Sequence, residues 1–363
     1  MFYCPTRIIM GDNALDDAAE FLHVLGKNAL IVSGENSARL SGALDELIPI
    51  LHRLEIRNTV FAEVKENPDL DCVLQGAAQL KAAKCDFIIA IGGGSPIDAA
   101  KAISLAAANG LNKTQLYQTD LFRKAYPIVS LPTTSGTGSE VTQYSVLTDT
   151  ELKRKAGFGH VLAFPRLAIL NPRYTYSLPP TVTLHTALDA LSHLLEGLYS
   201  KHRDPLVYPL IYKGISCIME HLPTTLKEPD NEEAREALMR ASLYGGMVIA
   251  QGSTTLQHSI GYPLTAEFGV AHGLANALVL QEIMHLFLPA VKSELAGLFA
   301  AINCTRDDFF AWLNSLPFQH KLFFSDEFIA AAVPQIMGSR NMALNPLPVS
   351  EAEVRRILDT IRT

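Results

Sequence analysis

Two pairs of potential metal ligands lie in the second half of the chain. In "ALDALSHLLEG", Asp189 and His193 are four residues apart and therefore share one face of a helix. In "HSIGYPLTAEFGVAHG", His258 and His272 are fourteen residues apart, about 21 Å along an unbroken helix and too far for one cation. Glycines and a proline interrupt this segment. We therefore expect one helix to end near His258 and another to start near His272, so that both imidazoles face one point.

Together the four side chains offer one carboxylate and three imidazoles, with room for a substrate oxygen. This ligand set suits Fe²⁺, Zn²⁺ and other first-row divalent ions about equally. Taken alone, the Asp189 and His193 pair is more typical of an amphipathic helix with a capped aspartate and a hydrogen-bonded histidine. The second pair of histidines shifts the interpretation towards a metal site.

A glycine-rich turn in the first half could bind a pyrophosphate. "IIAIGGGSPIDAAKA" places three glycines between an apolar strand and a helix that opens with Ser95 and Pro96. Gly93 and Gly94 allow a ligand to approach the backbone, and the helix start offers unpaired N–H groups. The spacing is neither GxGxxG nor a Walker loop, so a plain tight turn with a serine cap is the alternative.

A second loop, "LPTTSGTGSEVT", supports the pyrophosphate interpretation. It also follows a predicted strand, and it carries several hydroxyl side chains, at Thr133, Thr134, Ser135, Thr137 and Ser139. Such hydroxyls can contact a phosphate or a ribose–nicotinamide, although a solvated polar loop has the same composition. Two ligand-like loops after strands of one sheet favour a cleft at the carboxyl ends of the strands.

The elements that must position these residues change in character along the chain. Up to about residue 175, short apolar runs alternate with helical patterns, which predicts a mostly parallel sheet with helices on both faces. The predicted strands lie within residues 28–34, 57–64 and 167–172 and at the start of 127–140, and the predicted helices within 41–54 and 68–84. Residues 85–110 have the pattern of a strand, a glycine turn and a helix. Later segments, at 182–200, 232–252, 272–287 and 350–363, are all helical in periodicity. Prolines in "YSLPPTVT" mark the boundary, so we predict domains at 1–178 and 179–363.

Composition excludes several classes of protein. The 363 residues are 48% hydrophobic with a net charge of −7, so neither nucleic acid nor an anionic membrane is expected as a partner. Five dispersed cysteines without a CxxC motif argue against a disulfide framework. The N-terminus does not resemble a signal peptide, and no apolar run is long enough for a membrane span. We expect a soluble, cytoplasmic protein.

The motifs, in this order, resemble those of the iron-containing (group III) alcohol dehydrogenases nearly end to end. The resemblance implies a dehydroquinate synthase-like architecture: an N-terminal dinucleotide-binding α/β domain, an all-helical C-terminal domain, and a metal in the cleft between them. It matches Asp189, His193, His258 and His272 to the metal ligands, and it implies a homodimer. The positions that it matches to the cofactor site are Gly93, Gly94, Ser95, Asp98, Thr133, Thr134, Thr137, Ser139 and Lys155. Asn67 is a further candidate for cofactor binding.

The chemistry implied is hydride transfer between a nicotinamide C4 and a small alcohol or aldehyde, with the metal lowering the pKa of the alcohol. We expect His272 and Tyr262 nearest the reaction. Many members of the family have another histidine where this chain has Tyr262. A phenol is a poorer base than an imidazole at pH 7. We therefore expect either that Tyr262 donates a hydrogen bond or that protons leave through water or cofactor hydroxyls; the alternative is that Tyr262 simply packs beside Pro263. The metal and His272 would then suffice for the chemistry.

The predicted cofactor is NADP rather than NAD. After "ALIVS", NAD-preferring members often have an aspartate that binds the ribose 2′-OH and repels a 2′-phosphate. This chain has Gly34 there, with Ser37 and Arg39 nearby to bind a phosphate and Glu35 as the opposing consideration.

Other functions are compatible with parts of the pattern. Glycerol dehydrogenases and dehydroquinate synthases share the architecture but have a lysine in the glycine turn. Maleylacetate reductases are closer, but many depart from the complete ligand set found here. An inactive nucleotide-binding protein would not need four candidate ligands, and a metallohydrolase would leave the dinucleotide loops unexplained.

Overall fold

The computed structural model describes residues 2–151, 154–319 and 321–363. A parallel sheet occupies the first half of the chain. In chain order the strands are β1 (Arg7–Met10), β2 (Asn28–Ser33), β3 (Arg57–Phe61), β4 (Phe87–Gly92), β5 (Ile128–Pro132), β6 (Tyr144–Asp149), β7 (Arg154–Gly159) and β8 (Leu167–Leu170). Six of them form one sheet in the order β1-β8-β5-β4-β2-β3, and every neighbouring pair is parallel.

The sheet is buried on both faces, as expected when helices cover both sides. Leu30 and Val32 of β2 pack into the apolar cluster on one face, whereas Ala29 and Ile31 pack into the cluster on the other. This explains why the central strands are continuous apolar runs rather than alternating patterns. The flanking helices are α1 (Ala14–Asp17), α2 (Ala19–Leu25), α3 (Ser37–Leu40), α4 (Ala43–Arg53), α5 (Leu70–Ala82) and α6 (Gly94–Asn109).

Two helix boundaries differ from the sequence prediction. The helix expected over residues 68–84 starts at Leu70, because the side chain of Asp69 caps it by accepting from the backbone N–H of Cys72. The helix expected over residues 41–54 is preceded by the separate turn of α3, and Gly42, at φ +79°, divides the two.

The sequence prediction missed β1 and the antiparallel hairpin of β6 and β7. In strands of six residues or fewer, the alternation of apolar and polar residues is too short to indicate a half-buried strand. The strands β6 and β7 pair only with each other and form a separate two-stranded sheet. Instead it contacts the loop before α5, where the backbone N–H of Thr148 donates to the carbonyl of Pro68 over 2.8 Å. The hairpin matters for the site because it carries Lys155.

The second half of the described chain is helical. Its helices are α7 (Pro180–Tyr199), α8 (Tyr208–Lys227), α9 (Glu232–Gly252), α10 (Leu256–Phe268), α11 (His272–Leu278), α12 (Leu280–Phe287), α13 (Lys292–Ala301), α14 (Arg306–Ser315), α15 (Asp326–Met337) and α16 (Glu351–Thr360). Short 3₁₀ helices span Lys113–Gln115, Thr119–Leu121, Ser139–Val141, Val161–Ala163, Pro172–Thr175, Pro205–Val207, Leu288–Ala290 and Arg340–Leu344. The predicted fold class, a parallel α/β domain followed by a helical one, is confirmed. The division at residue 178 stays a prediction.

One expectation about the helical half was wrong. We expected a helix to end near His258, but α10 begins at Leu256 and continues to Phe268, so His258 lies in its first turn. Gly261 does not break the helix. It is required because a Cβ there would lie 2.1 Å from Oδ1 of Asn276 on α11. The break comes later, at Gly269, whose φ of +62° ends the helix.

No single helix in the described ranges is long and apolar enough to cross a membrane. The segments His272–Leu278 and Leu280–Ala290 pass the length and composition test only as a pair, bent by 49° at the break between them.

Candidate active site

Helix α7 presents the first two candidate ligands. Asp189 and His193 are both buried on one face, and Nε2 of His193 lies 3.9 Å from Oδ1 of Asp189. Most of this helix is buried, with leucines on its remaining faces packed in the helical core. The two polar side chains share one face, as the i, i+4 spacing predicts, and their burial holds them away from bulk water.

Helix α10 adds His258 to this pair. Its Nε2 lies 3.7 Å from Oδ1 of Asp189 and 3.1 Å from Nε2 of His193. The rings of His193 and His258 are stacked, with centroids 4.8 Å apart. Because His258 is in the first turn of α10, the position of the helix start sets the position of its ring.

Helix α11 brings His272 to the same place. It packs against α7 without a side chain between the two backbones, at Gly273. A Cβ on Gly273 would lie 1.9 Å from the carbonyl oxygen of His185 and 2.8 Å from the backbone nitrogen of Asp189. This glycine therefore permits the close approach that places His272 beside Asp189.

The ligand atoms of Asp189, His258 and His272 all lie within 4.8 Å of one another, and His193 lies beside this group. They also converge on one point. Nδ2 of Asn276 lies 3.1 Å from Oδ1 of Asp189, 3.1 Å from Nε2 of His258 and 3.5 Å from Nε2 of His272. One amide nitrogen thus lies close to the polar atoms of all three candidate ligands. The donor set and its convergence fit a divalent cation.

A second carboxylate lies behind His258. Glu196 on α7 is fully buried, and its Oε2 is hydrogen bonded to Nδ1 of His258. Its other oxygen, Oε1, accepts from the backbone N–H of Thr255 over 2.6 Å and from the Thr255 hydroxyl over 2.8 Å. Glu196 is three residues beyond His193, on the same face of α7, a spacing that the sequence analysis overlooked.

Burial and close charges shift the pKa values of this cluster in opposite directions. Burial raises the pKa of Asp189, but the three imidazoles outweigh it and hold that pKa below its usual value. Burial lowers the pKa of His258, but the carboxylates of Glu196 and Asp189 raise it to about 9. Burial and then the Lys155 ammonium lower the pKa of His272 well below its ordinary value. A neutral His272 has a lone pair available for a cation at pH 7.

Tyr262 stacks on His272, with ring centroids 5.3 Å apart and planes 8° from parallel. It is one turn beyond His258 on α10, and its hydroxyl hydrogen bonds with the side chain of Asn341. Burial, followed by the charges of Glu196 and Asp189, raises the pKa of the phenol. Tyr262 is therefore protonated at neutral pH and cannot act as a base there.

The predicted cofactor loops follow three adjacent strands of the sheet. Gly34 follows β2, Gly93 follows β4 and Thr133 follows β5, and these strands are neighbours in the order β5-β4-β2. All three loops therefore lie at one carboxyl edge of a parallel sheet, where nucleotides bind in open α/β folds. Gly34 adjoins Ser37, which is half-buried, and Arg39 is exposed on the same turn.

The glycine turn and the threonine loop are in direct contact. A Cβ on Gly93 would lie 3.1 Å from Oγ1 of Thr134, and one on Gly94 would lie 2.7 Å from Cγ2 of Thr137. Glycine at these positions keeps the two loops together at the start of α6. The threonine loop also reaches the helical half, because a Cβ on Gly136 would lie 2.6 Å from Cβ of Thr186.

Lys155 connects the cofactor loops with the candidate metal cluster. Its Nζ donates to Oδ1 of Asn67 over 2.7 Å, and the backbone N–H of Asn67 donates to the hydroxyl of Ser95 over 3.2 Å. The same Nζ lies 6.0 Å from the centre of the Tyr262 ring. Burial lowers the pKa of Lys155, while the nearby carboxylates of Asp189 and Asp98 oppose this.

Asp98 and Ser139 are linked by a buried network that the sequence analysis did not predict. The hydroxyl of Ser139 donates to Oδ1 of Asp98 over 2.5 Å and accepts from Nζ of Lys101 over 2.6 Å. Nζ of Lys101 also donates to the carbonyl of Tyr144 over 2.7 Å. This network fastens α6 to the threonine loop and to β6. The Ser139 hydroxyl therefore donates its only proton inside the protein.

The sequence analysis also did not predict Asn276 as a site residue, although an i, i+4 spacing links it to a candidate ligand. It lies four residues beyond His272 on α11, as His193 lies four residues beyond Asp189 on α7. Only the structure shows that its amide reaches all three neighbouring candidate ligands.

A nucleotide-type sheet edge facing a helical carboxylate–imidazole cluster defines a class of metal-dependent, dinucleotide-linked enzymes. Comparison with known proteins agrees with this class. The sequence-family model of the iron-containing alcohol dehydrogenases matches residues 5–172. The sequence-family model of the C-terminal part of that family matches residues 183–315. Alcohol dehydrogenase 4 of Schizosaccharomyces pombe is 31% identical over 307 residues, which are 84% of this chain and 72% of that protein.

Solved structures give the same result. An iron-containing alcohol dehydrogenase from Thermotoga maritima has a TM-score of 0.93 and 35% identity, covering 99% of both chains. Sulfoacetaldehyde reductase from Bifidobacterium kashiwanohense, in complex with NAD⁺, has a TM-score of 0.89 and 29% identity, covering 100% of this chain and 98% of that one. The chain belongs to the iron-containing alcohol dehydrogenase family. It is accordingly a metal-dependent, NAD(P)-linked oxidoreductase acting on CH–OH groups, as the motifs predicted.

Proposed function

We propose that Asp189, His193, His258 and His272 hold one divalent cation at which a small alcohol or aldehyde reacts with a nicotinamide cofactor. The observation that carries this proposal is the convergence of three candidate ligands, whose donor atoms lie within 4.8 Å of one another. A bound divalent cation supplies Lewis acidity that polarises the reacting oxygen, and the nicotinamide supplies or accepts the hydride.

The chain's own residues orient the reactants and exclude water. Asp189, His193 and His258 are buried and His272 and Tyr262 are half-buried, so the reacting oxygen would be largely shielded from bulk water. Lys155 faces both this cluster and Asn67 beside the glycine turn, which suits a contact with the cofactor ribose. Because Tyr262 keeps its proton, it offers a hydrogen-bond donor and an aromatic wall rather than a base.

For the cofactor we propose the loops at the carboxyl edge of the sheet. Gly93, Gly94 and Ser95 would bind the pyrophosphate at the start of α6. The side chains proposed to line the rest of the cofactor are Asn67, Asp98, Thr133, Thr134, Thr137, Ser139 and Lys155.

We propose NADP(H) as the preferred cofactor. The turn after β2 has no carboxylate at Gly34, and Ser37 and the exposed Arg39 lie on the same turn. A 2′-phosphate would therefore meet a hydroxyl and a guanidinium rather than a repelling aspartate.

For the cation we propose Fe²⁺, with Zn²⁺ as the alternative that metal analysis separates. We further propose a homodimer, as the resemblance to the family implies, and a cytoplasmic location, as the composition of the chain favours. Light scattering of the purified protein and fractionation of the source cells test these two points.

The experiment that tests the function is an assay of purified protein reconstituted anaerobically with Fe²⁺ or with Zn²⁺. A panel of short alcohols, diols and aldehydes is followed at 340 nm with NADP(H) and with NAD(H). We expect metal-dependent turnover, faster with NADP(H). No turnover with any pair, despite a full equivalent of bound metal, would contradict the proposal and favour an inactive nucleotide-binding protein.

A further inference from the structure

The immediate surroundings of Glu196 assign it a role beyond folding. Its carboxylate has two distinct environments. Oε1 accepts from the N–H and the hydroxyl of Thr255 and, at 3.4 Å, from the N–H of His258. These groups form the start of α10, so Oε1 caps that helix from outside. Oε2 contacts one group of a different kind, Nδ1 of the His258 ring.

We propose that Glu196 is a positioning residue that fixes the tautomer of His258, keeping the proton on Nδ1 and the lone pair on Nε2. This rests on the proposed metal site and adds to it the group that makes one ligand competent. A carboxylate has no donor of its own, so the hydrogen bond between Oε2 and Nδ1 requires the proton to come from the ring. The remaining nitrogen, Nε2, lies 3.7 Å from Oδ1 of Asp189, where a bound cation would take its lone pair in place of the second ring proton.

The same geometry shows which substitution separates this role from helix capping. In Glu196→Gln, the donors from Thr255 hold the amide oxygen at the Oε1 position, so the cap is preserved. The amide NH₂ then occupies the Oε2 position and donates to Nδ1 of His258. That hydrogen bond moves the ring proton to Nε2, where it blocks a cation.

A matched control is available in the same helical half. Glu294 accepts a hydrogen bond from Nε of Arg203 over 2.8 Å, and it lies on α13, whereas the candidate ligands lie on α7, α10 and α11. Glu294→Gln is the same chemical change and should leave metal binding unaltered. Glu196→Asp keeps the negative charge but shortens the side chain, so its affinity should fall between the wild type and Glu196→Gln.

The test is a titration with Co²⁺, followed by its d–d absorption, together with the number of bound imidazoles from X-ray absorption. We expect Glu196→Gln to bind Co²⁺ about 10- to 100-fold more weakly than wild type, with one imidazole fewer. Circular dichroism should show unchanged helix content. Equal affinity and equal imidazole number in wild type and Glu196→Gln would overturn the role of Glu196 while leaving the metal site intact. Failure of the wild type to bind Co²⁺ would instead overturn the metal site itself.

A measurement on the wild type covers the case in which Glu196→Gln does not fold. With ¹⁵N-labelled histidine and bound Zn²⁺, the ring of His258 should show a proton on Nδ1, strongly downfield because a carboxylate accepts it. The signal is assigned by its loss in His258→Gln. A proton-free Nδ1 in the wild type would overturn the proposal.

Discussion

The ring of Tyr262 lies face to face with the ring of His272, 5.3 Å apart at 8°. The contact joins one turn of α10 to the first residue of α11, and it covers one side of a candidate ligand. The hydroxyl points elsewhere, towards Asn341. The aromatic face and the hydroxyl of Tyr262 therefore have separable roles.

Tyr262→Phe should retain kcat/KM within about threefold and bind metal normally. The substitution keeps the stacking and removes a hydroxyl that is not a base, because burial raises its pKa. Tyr262→Leu should instead weaken metal binding by about 2- to 10-fold, the magnitude of one aromatic pair. Steady-state kinetics and metal content check both variants. Loss of turnover in Tyr262→Phe at full metal content would assign the hydroxyl a catalytic role.

Gly34→Asp should lower the ratio of kcat/KM for NADP⁺ to that for NAD⁺ by at least about tenfold, or about 1.4 kcal/mol. The added carboxylate repels a 2′-phosphate and accepts from a ribose 2′-OH. Gly34→Ala is the control, because it adds the same Cβ near Ser37 and Val64 without charge. A wild type that already prefers NAD⁺ would contradict the proposed cofactor.

Gly273→Ala should weaken metal binding and destabilise the fold by about 1–3 kcal/mol, the usual range for an overpacked position. The new methyl would occupy the space of the His185 carbonyl, so α11 must move away from α7 and take His272 with it. Gly338→Ala is the control, since its nearest neighbour would lie at 3.3 Å. Chemical denaturation and metal titration measure the two effects. Unchanged metal affinity in Gly273→Ala would show that the close helix contact is not needed.

The stability of the wild type should decrease between pH 5 and pH 8 through Glu140. Burial raises the pKa of this carboxyl from 4.5 to about 7, so the folded protein holds its proton more tightly than the unfolded chain. Protonated Glu140 contributes about 3 kcal/mol at most to the free energy of unfolding. This contribution is complete below pH 4.5 and is lost as the pH rises through 7. Glu140→Gln should remove this part of the pH dependence, as measured by denaturation at pH 5 and pH 8. Parallel curves for wild type and variant would contradict the assignment.

Much of the candidate site follows from the sequence because its spacing is local. The i, i+4 pair of Asp189 and His193 and the strand–glycine–helix pattern around Gly93 depend on neighbours along the chain. The path of the chain between His258 and His272 could not be predicted, because Gly261 and Pro263 read as helix breakers. Gly261 instead makes room for the side chain of Asn276. The two residues come together only when α10 packs against α11, so the sequence does not show the contact.

The same reasoning applies to the buried polar groups. Lys101 lies in the largely apolar sequence of α6 and Glu140 in the polar threonine loop, and nothing in either pattern indicates a buried charge. Their burial depends on how the threonine loop packs on α6. The position of Glu196, three residues after His193, could have been predicted to share a helix face with that ligand. Its hydrogen-bond partner His258 lies on another helix and could not be predicted.

The most direct test of the proposed metal site is the metal content of the wild type and of single variants, measured by mass spectrometry after anaerobic loading with Fe²⁺ and removal of the excess. The account predicts one Fe²⁺ per chain in the wild type and in the control His285→Gln, whose ring packs against Phe310 away from the site. It predicts less than about one tenth of an equivalent in His258→Gln and His272→Gln. A full equivalent retained in either variant would contradict it.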